Sequence, residues 1–334
     1  MRAGRIQIST REFSVVDLPK PIPESHEVLI KVMAAGVCLS DVHLLRGAIT
    51  PGFLKGDVVT MGHEVAGIVE SVGEKVRNFA AGERVIVCAG VRDKFNRITT
   101  MGFDYDGGFA EYVVAGADTL VRIPEALPFE QACIIPDAVS TPWAAITQTA
   151  AVKPKESVLL FGVGGLGLHA VQLLKIVGAS PIVAVDPLLQ ARERALAAGA
   201  DFVLDPTDSE FLAHAKELTH GVGFNVAFDF VGSGSARHQS LRLLGEGGRL
   251  VIVGLANETI VIPSDITFSF KRNQILGHYG STTRQTIEIV QMIAANKLNL
   301  SGSISQVLPL EEAATALSRL ENKVGNPIRI ILKP

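Results

Sequence analysis

Residues 156–186, ESVLLFGVGGLGLHAVQLLKIVGASPIVAVD, constrain the fold more than any other part of the chain. The run VLLF is apolar at every position rather than at alternate ones, so both faces of that strand must be buried. A glycine-rich turn follows, then a helical stretch, then a second apolar run, PIVAVD. The alternation continues through ARERALAAGADFVLD, VGFNVAFDFVG and GGRLVIVGL. Such repetition predicts an α/β fold with a doubly wound parallel sheet, covered by helices on both faces.

The turn holds G-x-G-x-x-G at Gly162, Gly164 and Gly167. In a chain of 334 residues with 32 glycines, that spacing alone carries little. Its context carries more, because the motif leaves a strand and opens a helix. Main-chain N–H groups, those of Gly165 and Leu166 included, and the positive helix end then face a site suited to a pyrophosphate. Gly162 makes the tight turn, Gly164 lets the phosphate approach the backbone, and Gly167 lets helix and sheet pack closely. Asp186 ends the second strand, nineteen residues beyond Gly167. A carboxylate there binds ribose hydroxyls and repels a 2′-phosphate, so NAD rather than NADP is the expected dinucleotide. The alternatives are a strand-end turn residue at Asp186 and a glycine turn that binds nothing.

Before about residue 135 the pattern differs. Short β-like runs, EVLIKVMAAG, EVAGIVESVG, ERVIVCAG and GGFAEYVVAG, are broken by turn residues and predict a twisted, largely antiparallel unit. One helical interruption, SDVHLLRG, has Ser40 or Asp41 to cap its start and Gly47 to stop it. PDAVSTPWAAITQTAAV reads as one long helix leading into the parallel sheet. RQTIEIVQMIAANKL and NPIRIILKP read as a helix and strand returning to the first domain. A chain of this length exceeds the usual limit for one core. The expected division is a β-rich domain over 1–138, the dinucleotide domain over 139–275, and a return to the first over 276–334.

A formal net charge of −3 with no Lys/Arg cluster gives no basis for capture of nucleic acid or of an anionic membrane. No apolar run approaches the roughly 20 residues of a membrane span, and the start lacks a secretory pattern. Three cysteines, 38, 88 and 133, cannot build a disulfide framework and suit a reducing, cytoplasmic compartment. Small-molecule partners are expected.

The stretch GVCLSDVH at 36–43 and MGHE at 61–64 bring the remaining chemistry. Cys38 and His63 each have a plain alternative, a buried small hydrophobe and a hydrogen-bonded histidine. Both, however, follow strand-like runs in one β-rich domain, and a catalytic zinc needs three N, S or O ligands with one position open. Together with MGHEVAGIVESVG, GGFAEY, GVGGLG and IRIIL, these segments resemble the zinc-dependent alcohol dehydrogenases of the medium-chain dehydrogenase/reductase family, over nearly the whole chain.

That resemblance implies a GroES-like catalytic domain beside the Rossmann-type one, and a zinc held by Cys38, His63 and a third ligand. The third is commonly a cysteine; here ACIIPDAVSTPW places Asp137 at the position, with Cys133 four residues early as competitor. A carboxylate carries the same single charge as a thiolate. The alternative for Asp137 is a helix N-cap after Pro136. Glu64 is implied to lie near the metal and to ligate transiently, its alternative being a surface strand charge. Asp41 is implied to orient His63. The family's four-cysteine lobe corresponds to AGVRDKFNRITTMGFDYDGG, which has no cysteine, so one catalytic zinc per chain and no structural zinc is expected.

The same resemblance makes Ser40 and His43 a relay that carries the substrate proton to solvent, where the alternatives are an N-cap and a solvated side chain. It gives Arg329 a contact to the pyrophosphate, or else an exposed strand cation, and Val253 a place in the nicotinamide pocket, or else in the core. The implied activity is hydride transfer between NAD and an alcohol/carbonyl pair, a secondary alcohol and ketone, in a homodimer or homotetramer. Reduction of an activated C=C bond, or a non-catalytic dinucleotide-binding protein of the same fold, are the competing readings.

Overall fold

The computed structural model describes residues 1–92 and 97–334. The chain divides into two compact units, 1–140 with 281–334, and 141–280. No helix among the described residues is long and apolar enough to cross a membrane.

In the second unit, six strands form one parallel sheet. In chain order they are Val158–Phe161, Ile182–Val185, Phe202–Leu204, Phe224–Asp229, Leu244–Ile252 and Gln274–Gly277. Across the sheet they lie third, second, first, fourth, fifth, sixth. This is the doubly wound order, and it reverses between the first and fourth strands. Every residue of Val158–Phe161 and Ile182–Val185 is buried, as their unbroken apolar runs require. Helices Gly167–Val177, Leu189–Ala197, Phe211–Glu217 and Gly234–Leu243 connect the strands. Gly178, at φ +84°, stops the first of them in the left-handed conformation that a Cβ disfavours.

In the first unit, the long strand Glu27–Val37 organises the main sheet. It pairs antiparallel with Glu64–Val72, with Tyr112–Gly116 and with the last strand, Arg329–Lys333. The last strand also runs parallel to Ile304–Pro309. The C-terminal segment therefore completes the first unit, and adds to the expected helix and strand a further helix, Ala313–Glu321. A smaller sheet orders Phe13–Asp17, Arg2–Gln7 and Val58–Thr60.

Two sequence expectations are corrected. SDVHLLRG is capped neither by Ser40 nor by Asp41. The helix is Leu39–Leu45 with Cys38 at the cap position, and Asp41 reaches back to accept the Cys38 N–H at 2.9 Å. The long helix is interrupted: helical turns start at Phe129, and wide π-type turns occupy Ile135–Val139 and Ala145–Thr149 on either side of Ser140–Ala144. Pro136 and Pro142 cannot donate to the helical ladder and their rings displace the carbonyl four residues back, which opens the first turn. Ser140 and Ser281, where the chain leaves and re-enters the first unit, share a hydrogen bond of 2.7 Å.

Arg249, on the fifth strand of the parallel sheet, donates to both oxygens of Glu156 at 3.0 and 2.7 Å and to the Ala150 carbonyl at 2.6 Å. Burial pushes the Glu156 carboxyl up, but Arg249 outweighs it and holds it below the usual range. A lowered folded-state pKa contributes stability above the unfolded value and loses it as pH falls through the folded one. Glu156→Gln is therefore expected to lower unfolding stability by about 1–2 kcal/mol near neutrality, the largely buried pair being only slightly screened. Urea melts across pH should show the gap closing below about pH 4.

Candidate metal centre and dinucleotide cradle

The metal-site residues come from separate elements of the first unit. Glu27–Val37 delivers Cys38 at its end. Gly62, at φ +94°, precedes His63; a Cβ there would lie 2.3 Å from the Phe109 ring, so only glycine lets the chain turn here. Register places Glu64 opposite Gly36, and a Cβ on Gly36 would meet Glu64 Oε2 at 2.0 Å. Glycine thus makes room for the carboxylate. Asp137 projects from the first π-type turn, inside the helical run, so it is not the N-cap after Pro136 that its sequence also allowed.

Ligand atoms of Cys38, His63, Glu64 and Asp137 all lie within 4.8 Å of one another. Cys38 Sγ is 3.5 Å, and His63 Nε2 3.4 Å, from Asp137 Oδ2. Tetrahedral zinc with bonds of about 2.3 Å to sulfur and about 2.0 Å to nitrogen and oxygen sets its ligands about 3.5 Å (S to O) and about 3.3 Å (N to O) apart. The donors therefore fit zinc in type, number and spacing. His63 Nδ1 faces Asp41 Oδ1 at 3.3 Å, which leaves Nε2 turned toward the cluster. His63 Nδ1, Asp41 Oδ1 and both Glu64 carboxylate oxygens are buried without a hydrogen-bond partner.

Electrostatics agree with this fit. Burial pulls the His63 imidazole toward neutrality, but Asp41 and then Asp137 outweigh it and raise its pKa well above the ordinary value. Burial pushes Glu64 up to about 7, opposed by Arg329 and reinforced by Asp137. A carboxyl that leans toward protonation beside an imidazole that leans toward its cation describes a pocket short of positive charge. A divalent ion supplies it.

Glu64 is wholly buried and no surface charge. Arg329 is buried too, rather than an exposed cation. Its Nη2 stands 3.3 Å from Glu64 Oε1, and its Nη1 donates to the Val37 carbonyl at 3.5 Å. No sequence signal foretold that pairing, because the two residues are far apart in the chain. Ser40 Oγ is 3.7 Å from Cys38 Sγ, and Ser40 and His43, three apart on one helix, share a face and are half-buried. The Cys133 thiol donates to the Glu130 carbonyl, and Cys88 to Thr286 Oγ1. Among the described residues the Cys38 cluster is the one such group of metal-type ligands.

Part of the cysteine-free lobe, 93–96, lies outside the described residues. Around it, Gly90–Arg92 pairs with Ile98–Thr100. Asp104 accepts the N–H groups of Thr100 and Phe53, and Asp106 that of Thr60. These two carboxylates, which the sequence did not single out, tie the lobe to the sheet.

In the second unit the three glycines meet three different demands. Gly162 has φ +85°. Gly164 faces open space, so its backbone is approachable, as are the neighbouring turn residues Gly165 and Leu166, both half-buried. A Cβ on Gly167 would lie 1.9 Å from the Gly162 carbonyl oxygen. Helix Gly167–Val177 has Leu166 at its N-cap, which makes no side-chain cap bond. Asp186 is fixed at the second strand's end by the N–H groups of Val163 at 3.1 Å and Leu188 at 2.9 Å. Val253 is buried just past the fifth strand, its N–H on the Asp229 carbonyl at 3.0 Å.

The alcohol dehydrogenase GroES-like domain model matches residues 24–125, and the zinc-binding dehydrogenase model residues 165–295. An alcohol dehydrogenase of Geobacillus stearothermophilus is 33% identical over 100% of this chain and 99% of its own. The chain belongs to the zinc-dependent alcohol dehydrogenases of the medium-chain dehydrogenase/reductase family. Within that family, an NAD-dependent alcohol dehydrogenase of Sulfurisphaera tokodaii is 29% identical over 96% of this chain and 97% of its own. The crystal structure of the Aeropyrum pernix alcohol dehydrogenase superposes with a TM-score of 0.91 at 28% identity, covering 100% of both chains. The family carries the GroES-like and Rossmann-type architecture described above.

If the cluster is the zinc site, elemental analysis of purified protein should give about one zinc per chain. Cys38→Ser and Asp137→Ala should each lose most of it, while Cys133→Ser keeps it and Asp137→Cys, which restores a single negative charge, retains it. Loss of zinc from the Cys133→Ser protein alone would shift the third ligand to that thiol.

Proposed function

We propose that this oxidoreductase interconverts a secondary alcohol and its ketone with NAD(H), using one zinc held by Cys38, His63 and Asp137 and no second zinc in the lobe. The observation that carries the reading is the spacing of those donors, since Asp137 Oδ2 stands from Cys38 Sγ and from His63 Nε2 at two edge lengths of a zinc coordination tetrahedron. When bound, the metal polarises the substrate oxygen as a Lewis acid and the nicotinamide takes or gives the hydride.

The chain's own residues do the rest. Asp41, facing His63 Nδ1, favours the proton on that nitrogen, so that Nε2 keeps its lone pair for the metal. Glu64, paired with Arg329, stands within reach as a fourth, exchangeable ligand. Ser40 accepts the substrate hydroxyl proton as it hands on its own, and His43, one helical turn on, releases a proton to solvent. Gly162, Gly164, Gly165, Leu166 and Gly167 cradle the pyrophosphate, and Asp186 takes the ribose hydroxyls. Val253 borders the nicotinamide. Arg329 Nε, which has no hydrogen-bond acceptor, is the donor left for a contact to the pyrophosphate.

Retention of all three ligands and both relay residues weighs against C=C reduction and against a non-catalytic role. The strand Gln274–Gly277 ends the sheet with an open edge, and Ile266 and Phe270 beside it in sequence are about four-fifths exposed. Both support assembly of the chain into a homodimer or homotetramer. Its three cysteines are unpaired, in keeping with a cytoplasmic location.

The test is NADH production from a panel of secondary and primary alcohols, with and without chelator. Secondary alcohols should be preferred, activity should vanish on chelation, and zinc should restore it. Binding of NADH with no turnover of any alcohol or ketone would favour the non-catalytic reading. Ser40→Ala should lower kcat about a hundredfold at unchanged zinc content. Asp186→Gly should raise the KM for NAD about tenfold and admit NADP, since repulsion of the 2′-phosphate is removed.

A further inference from the structure

A second buried ion pair lies at the opposite side of the sheet's reversal point from Asp186. Asp229, wholly buried at the end of the fourth strand, and Arg237, 3% exposed on helix Gly234–Leu243, meet at 2.8 Å between Oδ2 and Nε. Asp229 Oδ1 accepts the N–H groups of Val231 at 2.9 Å and Gly232 at 2.8 Å. Its main-chain oxygen accepts those of Val253 and Gly254. Arg237 then reaches outward: Nη2 donates to the Gly254 carbonyl at 3.2 Å and Nη1 to that of Glu258 at 3.4 Å. The Glu258 carboxylate closes the circuit on the Gly234 N–H.

Residues 255–262 have no regular structure and are exposed, so these bonds, rather than packing, fix where the segment starts. Contact is close: a Cβ on Gly232 would lie 2.7 Å from the Leu255 carbonyl oxygen, and one on Gly254 2.4 Å from the Gly232 nitrogen. On the other flank, Val231 packs over the glycine turn, 2.7 Å from where a Cβ of Gly162 would stand. The pair thus sets two loops at once, both at the C-terminal ends of the fourth and fifth strands. In a doubly wound sheet the adenosine half of a dinucleotide lies over the first three strands, and the other half over the next ones.

We propose that Arg237 is a positioning residue for the nicotinamide half of the cofactor, acting through the main chain of 253–258 and leaving the adenosine half untouched. This rests on the dinucleotide reading of the same unit. Removing Arg237 alone strands a buried carboxylate, so the informative variant is the double one, Asp229→Asn with Arg237→Met, which keeps an oxygen for Val231 and Gly232 but releases Gly254 and Glu258. Arg237→Lys is the second, since an ammonium can still pair with Asp229 but cannot span both carbonyls.

Full-length, zinc-loaded protein is titrated with NADH and, separately, with ADP-ribose, which lacks the nicotinamide. The double variant should bind NADH about tenfold more weakly, and Arg237→Lys by a smaller factor, with ADP-ribose within about twofold of wild type in both. Unchanged NADH affinity, or equal weakening of both ligands, overturns the proposal. Wild-type protein that binds neither ligand overturns the dinucleotide reading and this inference with it. Tight wild-type binding with indifferent variants overturns the inference alone.

Discussion

Burying several ionisable groups together costs several kcal/mol per charge unless geometry and partners compensate. In the first unit a thiol, an imidazole and three carboxylates, those of Asp41, Glu64 and Asp137, gather in one buried cluster with a guanidinium, and much of the local backbone is shaped by that requirement. Gly36 and Gly62 open space for Glu64 and turn the chain ahead of His63. Asp41 serves twice, one oxygen on the Cys38 N–H and the other toward His63, so helix capping and imidazole orientation are one interaction.

The second unit, in the proposed reading, solves a different problem, presenting backbone donors to an anion. Here the chemistry lies in main-chain N–H groups, and side chains matter mostly by their absence. A methyl at Gly167 would collide with the Gly162 carbonyl, whereas one at Gly164 would collide with nothing in the protein and so would intrude only on an approaching ligand. Asp186 and Asp229 end strands on either side of the first strand, and each anchors the loop that follows it.

Much of this was legible in the sequence because it depends on local pattern. Unbroken apolar runs marked the parallel strands, and a glycine motif between strand and helix marked the tight turn that joins them. What was not legible depends on long-range pairing or on small shifts of helical register. Nothing near Arg329 announces that Glu64 is its partner, since a strand cation and a buried one read alike. The π-type turns escaped notice because a helical pattern with two prolines is compatible with a kink, a break or a widened turn, and packing decides among them. The capping alternative for Asp137, beside its reading as a ligand, stayed open for that reason. Nothing in the sequence around Arg237 marks it for burial, which follows only from the strand end it faces.

The hydrogen bond between Ser140 and Ser281 joins the two points at which the chain departs from the first unit and comes back. To the β-rich scaffold, the intervening stretch is therefore one long excursion that begins and ends at the same place. Closing a disordered loop of that length would cost about 4 kcal/mol in chain entropy. A segment that folds by itself with adjacent ends removes most of that cost beforehand. With its two ends a hydrogen bond apart, the intervening module can vary in length or content without any rethreading of its host.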